Sequence, residues 1–273
     1  MSFASSIAVL NRRPAFVTPR RLAALAWQAG RQLGARAVLL AAWEIVPRLG
    51  LVDPVFLPPF STVVAAWWDL AQSGALAAHG AASLSRAFGG LAIAILIAIP
   101  LGLLIGANRR LGEVLDPLIE VFRNTAPLAL LPVFTLILGI GEISKVTMVV
   151  YAASWPILLS TVTGVRTVDP LLIKAARSMG LGPAALFRKV VLPASVPTIF
   201  TGVRLSAAIS LLVLIAAEMV GARAGLGYMI NAAQFNFQIP EMYAGIITLS
   251  ALGLLLNVAL RRIELRLSRW KDA

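Results

Sequence analysis

The segment Ala87–Ala107 reads AFGGLAIAILIAIPLGLLIGA and holds no charge. A helix of that length is about 30 Å long at 1.5 Å per residue, the thickness of a bilayer's hydrocarbon. Val146–Val165 and Ala244–Leu260 are uncharged in the same way. Such runs constrain the fold strongly, because in lipid every backbone amide must be satisfied within the segment, which favours helix. Composition agrees: 59% of residues are hydrophobic and 13% charged, against about 45–50% and about 25% in soluble domains. There is too little polar surface to cover a water-soluble globule. Most cytosolic enzymes, a disordered chain and a nucleic-acid binder are excluded, despite a pI near 11.4.

Two further segments are apolar with one internal charge each, Val121–Ile140 with Arg123 and Val196–Ala217 with Arg204. A sixth, Ala37–Val52, carries Glu44, Pro47 and Arg48. The expected fold is an all-α integral membrane bundle with spans at about 37–52, 87–107, 121–140, 146–165, 196–217 and 244–260. Residues 1–36 form a basic N-terminal segment, in which Leu22–Gly30 suits the membrane surface, and residues 261–273 form a basic tail. With six spans both tails share a side. That side, with the second-to-third and fourth-to-fifth connections, holds 18 of the 24 basic residues, so both termini are expected in the cytoplasm. Arg48, Arg86, Lys145 and Arg223 remain on the other side.

Pro100, Pro127, Pro132 and Pro156 inside spans suit a packed polytopic bundle, where neighbouring helices re-satisfy freed carbonyls. Gly102 and Gly106 form a GxxxG pair for close helix approach. Cysteine is absent and His79 is the single histidine, read as a solvated loop residue, so thiolate chemistry and Cys- or His-rich metal sites are excluded. No GxxxxGK[ST], GxSxG or HExxH occurs. The chain has no phosphate-cradling loop, so any energy source is a partner or an ion gradient.

The connection between the fourth and fifth spans, residues 166–195, is punctuated rather than slack. Asp169 is placed as a helix N-cap with Pro170 at the first helical position. Leu171, Leu172, Ala175, Ala176 and Met179 share one face, Lys174, Arg177 and Ser178 the other. Gly180 ends the helix, and Pro193 is expected to break a second short helix before the fifth span. This pattern suits equally a helix docking into a groove on a soluble partner and one lying on the bilayer.

Ala175-Ala176, Gly180 four residues on, and Leu192-Pro193 further on resemble the EAA loop of importer-type ABC permeases. FLPPFSTV (56–63), LDPLIEVFRNTAPLALLPVF (115–134), GIGEISK (139–145), AAEMVGARAGLGYMI (216–230) and LSRW (267–270) resemble the nitrate/sulfonate/taurine branch of that family. The resemblance covers roughly residues 37–270 and implies a permease subunit of the bacterial inner membrane. It implies that Asp169, Leu172, Lys174, Ala175, Ala176, Met179, Gly180, Leu192 and Pro193 form the coupling loop. It implies as partners a second copy of the chain, two cytoplasmic ATP-binding subunits and a periplasmic solute-binding protein. ATP and magnesium then belong to the ATPase, and this chain binds no cofactor and catalyses nothing. One position departs from the family: Lys174 stands where Glu is usual, so the sign of that contact is reversed.

The solute expected is small and anionic, such as nitrate, a sulfonate or taurine. Charged groups at membrane depth are the first candidates for its path. Arg204 lies about 12 Å into its span. With Arg123 it offers positive potential, unless both reach for headgroups or pair, Arg123 with Glu120. Asn124, Thr125, Ser154, Ser210, Glu218 and Met219 are further path candidates, whereas Gly225 and Gly227 suit a turn or re-entrant bend. The competing class is an ion-coupled secondary transporter, for which Glu44 and Glu218 are the nearest carboxylates and no inverted repeat is apparent. An integral-membrane enzyme would need clustered His or carboxylates, and only His79 is present.

Overall fold

The computed structural model describes residues 19–267, whose regular elements are all helices, with no strand among them. Arg12, Arg13, Arg269 and Lys271 of the basic tails, and the LSRW stretch from Ser268 on, lie outside the described residues.

The described residues fall into two units, divided after Thr62. In the first, helix α1 spans Pro19–Arg48 as one 30-residue element, so Leu22–Gly30 continues directly into the expected first span. That span does not reach Val52: Pro47 occupies the last turn and Gly50, at φ +71°, turns the chain. Glu44 and Trp43 fasten the chain beyond that turn. The Glu44 carboxylate accepts the Ser61 amide and hydroxyl, each at 2.9 Å, and pairs with Arg48 at 2.5 Å. Trp43 Nε1 donates to the Pro58 carbonyl at 3.2 Å. Glu44 is therefore a local clamp.

Helix α2 (Phe60–Gln72) starts in the last residues of the first unit; in the second it leads into α3 (Ala75–Ala107), followed by α4 (Arg109–Asn124), a 3₁₀ turn (Pro127–Leu130) and α5 (Leu131–Leu138). Then come α6 (Glu142–Arg166), α7 (Pro170–Ser178), α8 (Pro183–Leu186), α9 (Leu192–Met219), α10 (Leu226–Phe235) and α11 (Ile239–Leu267). Among the described residues four helical stretches are long and apolar enough to cross a membrane: Ala75–Ala107, Glu142–Arg166, Pro183–Met219 and Ile239–Leu265. The expected third span, 121–140, is instead a bent pair, Arg109–Asn124 and Pro127–Leu138, meeting at 83°. Proline explains the break. Ala126 precedes Pro127 and is held extended at φ −61°, ψ 120°, because the ring disfavours the helical region for its predecessor. Pro132 removes another donor one turn on.

Pro193 does not break its helix, contrary to expectation. The five residues Phe187–Val191 form a π turn, and the Leu192 amide reaches back to the Phe187 carbonyl. The widened turn lets α8 run into α9 as one 37-residue stretch, with Pro193 in the first turn of α9, where its missing N–H costs nothing. His79 is likewise not in a loop: it lies in α3, half-buried, and its Nδ1 accepts the Gly225 amide at 3.1 Å.

The core is α6 between α3 and α9. Lipid tails are as apolar as leucine, so helices associate in a bilayer through close packing, which small residues permit. A Cβ on Gly102 would lie 2.7 Å from Thr161, on Gly106 2.8 Å from Val165 and on Gly90 2.6 Å from Val149. The expected GxxxG contact is thus real, with α6 as its partner. On the opposite side of α6 a Cβ on Gly202 would lie 2.5 Å from Ser160. Leu91, Ala94, Ala98, Ile105, Ala153, Ile157 and Ala207 fill the centre. The Ser206 hydroxyl crosses from α9 to the Ala153 carbonyl at 2.7 Å.

Gly102→Leu and Gly202→Leu should each lower stability by about 1–3 kcal/mol, the usual cost of overpacking, or more where backbone must move. Gly89→Ala, which meets nothing within 4 Å, should leave it unchanged or raised. Thermal melts of the three variants in detergent check this ordering.

Candidate functional site

Two ends of the core carry organised polar structure. At one end the chain between α6 and α9 builds a rigid knuckle. Asp169 caps α7 by accepting the Leu171 amide at 2.8 Å, and Pro170 opens the helix, as expected. At its other end Gly180, at φ +79°, sends its own amide to the Arg177 carbonyl at 2.9 Å, while Leu181 donates to Ala176 at 3.2 Å. That pair of bonds is a Schellman stop, and the left-handed residue favours glycine. The helix is therefore fixed at both ends.

Its faces divide differently from the sequence pattern. Leu171, Leu172 and Met179 are 70%, 51% and 74% exposed, and Lys174 and Ala175 are exposed with them. Ala176 alone turns inward, at 2%. Leu192 is half-buried and Pro193 exposed at the start of α9. A cleft of about 780 Å³ beneath α7 is lined by Gly106, Val165, Ile173, Arg177, Leu186 and Phe187, among others. The two alanines have different environments: Ala176 packs against this chain and Ala175 is free for another.

At the other end of the core lies a charged hub. Glu218 is 1% exposed in α9 and Arg86 is 8% exposed in α3. Arg86 Nη1 donates to Glu218 Oε1 at 2.7 Å and to the Ala224 carbonyl at 2.6 Å. Its Nη2 reaches Glu142 Oε1 of α6 at 2.7 Å, and its Nε pairs with the same carboxylate. Glu218 also accepts the Ser83 hydroxyl and the Gly227 amide at 3.0 Å. Lys145, 3% exposed, donates to the carbonyls of Gly141 (2.9 Å) and Gly221 (3.4 Å). Arg86, Lys145 and Glu218 are buried and Glu142 lies at the exposed edge, so two cations face two carboxylates and the buried charges are compensated.

Gly225 and Gly227 make the turn into α10, and the hub explains why they are glycine. Gly225 has φ +125°, and a Cβ there would lie 2.3 Å from the Glu218 carboxyl carbon. A Cβ on Gly227 would lie 2.4 Å from the Ile215 carbonyl. The AAEMVGARAGLGYMI segment is thus a backbone cradle for one carboxylate. Arg86, Ser83, Glu142 and Lys145 escaped the sequence reading, which placed Arg86 and Lys145 outside the spans. The available signal was a lone arginine just before an uncharged run.

The path candidates scatter. Glu218 and Ser210 face no opening; the Ser210 hydroxyl donates to the Ser206 carbonyl at 2.8 Å. Arg204 pairs with Glu264 of α11, which also accepts the Thr201 hydroxyl at 3.1 Å. Met219 is half-buried, and its carbonyl accepts from Asn231 at 2.8 Å. Arg123 and Asn124 are exposed at the end of α4, Arg123 3.4 Å from Glu120, the partner foreseen for it. Thr125 sits at the break with its hydroxyl on the Val121 carbonyl. Ser154 is half-buried on α6, and its hydroxyl donates to Val150. Only Arg123, Asn124, Thr125 and Ser154 fall near the bend.

Comparison with known proteins agrees with this architecture. The profile of the family described as binding-protein-dependent transport system inner membrane component matches residues 98–269. The taurine transport system permease protein TauC of Escherichia coli is 36% identical over 253 residues, covering 89% of this chain and 92% of TauC. A putative aliphatic sulfonates transport permease protein, SsuC of Bacillus subtilis, is 34% identical and covers 87% and 86%. The bicarbonate transport system permease protein CmpB of Synechococcus elongatus is 37% identical and covers 69% and 67%. Among solved structures, an inward-facing MetNI methionine ABC transporter has a TM-score of 0.61 at 22% identity, covering 68% of this chain and 93% of that one. An amino acid ABC transporter has a TM-score of 0.61 at 19% identity, covering 72% and 96%; both likenesses are of fold.

Arg86→Met should destabilise the bundle by about 3–5 kcal/mol, because it leaves Glu218 buried and unpaired. Adding Glu218→Gln should recover part of that loss. A double-mutant cycle on unfolding in mixed micelles checks it, and simple additivity would show that the two side chains act independently.

Proposed function

The chain belongs to the family of binding-protein-dependent transport system inner membrane components, and from that premise we propose how it works as a permease. It is a transmembrane subunit of an ABC transporter in the inner membrane. Two copies pair around a central path. Each presents α7 to a cytoplasmic ATP-binding subunit, and a periplasmic solute-binding protein delivers the solute. ATP and magnesium act in the ATPase. Counting the bent pair as one span and α1 as another makes six, with both termini cytoplasmic, as the basic residues require.

The observation that carries the proposal is the knuckle. Helix α7 is closed at both ends by its own sequence, joined by short segments to α6 and α9, and turns Leu171, Leu172, Ala175 and Met179 outward. Such a helix delivers force as a rigid body, and an apolar face outside the membrane suits a groove on a soluble partner. ATP-dependent closure of the ATPases would move the two α7 helices together and rock the α3–α6–α9 block between inward- and outward-open states. The permease needs only different contacts with the two ATPase states. Lys174, exposed beside that face, favours a carboxylate on the partner, the reverse of the family's usual charge.

The solute is a small oxyanion of the sulfonate, taurine or bicarbonate kind, by analogy with the substrates in the relatives' names. Its path runs past the α4–α5 bend, where Arg123, Asn124 and Ser154 gather. Irregular backbone at membrane depth is stable only when covered by protein or lining a watery cavity. Arg204 and Glu218, each engaged by partners from other helices, and Ser210, bonded within α9, hold the walls in place.

Leu172→Glu combined with Met179→Glu places charge on the exposed face without touching Ala176. The variant should reach the membrane at normal level but capture the ATPase subunit at least tenfold less well on copurification. Ala176→Glu should instead lower the amount of folded chain, since its methyl is buried. Normal ATPase capture and normal solute-stimulated hydrolysis by the double variant would exclude α7 as the coupling element.

A further inference from the structure

Tryptophan 155 is unlike the other polar groups of the core. It is half-buried near the middle of α6, yet its indole N–H is fully covered and has no hydrogen-bond acceptor. The nearer end of α6 is about 17 Å away along the axis. Buried indole donors almost always find a partner, and a donor left bare at this depth is costly. A lipid tail brings no acceptor.

The ring sits in an aromatic cluster. It stacks on Phe122 of α4 (centroids 6.1 Å apart, planes 1° apart) and meets Tyr151 edge-on at 5.6 Å. Phe134 of α5 lies 6.0 Å from Tyr151. The Tyr151 hydroxyl donates at 2.7 Å to the Phe122 carbonyl, which also accepts the Thr125 amide where α4 ends. Tyr151 is therefore engaged and Trp155 is not. Beside them lies a cavity of about 340 Å³, bounded by Ile97 and Leu101 of α3, Phe134, Tyr151, Ser154 and Trp155. That is within the range of small-molecule sites.

We propose that Trp155 is the donor of a transit subsite for a small organic oxyanion, which it engages through its indole N–H as the solute passes the bend. The inference rests on the reading of the chain as an oxyanion permease and adds a residue and a chemistry to it. A sulfonate or carboxylate oxygen supplies the missing acceptor. The rings of Phe134 and Tyr151, which line the cavity, suit an alkyl chain or, in an amino-sulfonate, the ammonium group. No charged side chain lines the cavity. One donor without a fixed counter-charge gives weak binding, which a transit site requires because the solute must leave again. The N–H is covered in this conformation, so engagement belongs to the step in which α4 and α5 shift against α6.

The test uses the permease assembled with its ATPase and solute-binding partners in proteoliposomes, with taurine and ethanesulfonate as probes. Trp155→Phe keeps an aromatic ring and removes the donor. It should assemble normally, retain basal ATP hydrolysis and lower uptake of both probes about tenfold, the loss of one hydrogen bond to a charged group. Leu101→Trp fills the cavity from the far wall and should block uptake with assembly intact. In wild type the indole ¹⁵N–¹H resonance that Trp155→Phe removes should shift with either sulfonate and not with chloride. Wild-type uptake in either variant that assembles, or an indole resonance indifferent to the sulfonates, overturns the subsite and leaves the permease reading standing. Failure of the wild type to couple uptake of any probe to ATP hydrolysis overturns that reading and the subsite with it.

Discussion

The buried pair of Arg86 and Glu218 organises one whole end of this molecule. Removing two charges from solvent costs several kcal/mol per ion before any attraction is counted. The structure offsets that cost by surrounding the pair with donors and acceptors from every nearby element. Ser83 comes from α3, Glu142 from α6, the Ala224 carbonyl from the turn and the Gly227 amide from α10. Each partner has to be in place for the others to be worth burying. The ends of three helices are thereby fixed in direction as well as in distance, which apolar packing in a bilayer does not achieve alone, since leucine is equally content against lipid.

Below the hub the same three helices are held by shape. Gly90, Gly102 and Gly106 of α3 admit α6 from one side, and Gly202 of α9 admits it from the other. Backbones this close leave little freedom for the block to bend. The knuckle at its far end is rigid for a different reason, having both helix termini capped. The α4–α5 bend lies beside the block, with prolines where the ladder is interrupted. The aromatic cluster with the bare indole sits where α4 and α5 meet α6.

Much of this was legible in one dimension. Uncharged runs announced the spans because burying an unpaired charge in hydrocarbon is so unfavourable that its absence is informative. The α7 knuckle was equally plain, since Asp169-Pro170 and Gly180 act through contacts within a few residues. Reading failed where a residue's meaning depended on distant neighbours. Arg86 looked like a loop residue until Glu142 and Glu218, 56 and 132 positions away, met it. For Arg204 the sequence left a solute, a headgroup or an ion pair open, and only the fold showed Glu264 as its partner. Pro193 was read as a breaker because a π turn leaves no mark in composition. His79 was read as solvated because its acceptor role depends on Gly225.

The chain's own order of residues thus determined its environment, the class of its elements and the ends of α7. These follow from hydrophobic transfer and from hydrogen bonds closed within a turn or two. Only the tertiary structure decided which polar groups hold the bundle together and which remain unspent. Glu218, placed by sequence on a solute path, has its carboxylate engaged by a hydroxyl, a guanidinium and an amide. Trp155, which no motif distinguishes, is left with a donor and nothing to receive it. The physical reason is that a polar group in a low-dielectric interior is defined by its partners, and partners from separate helices meet only when the chain has folded.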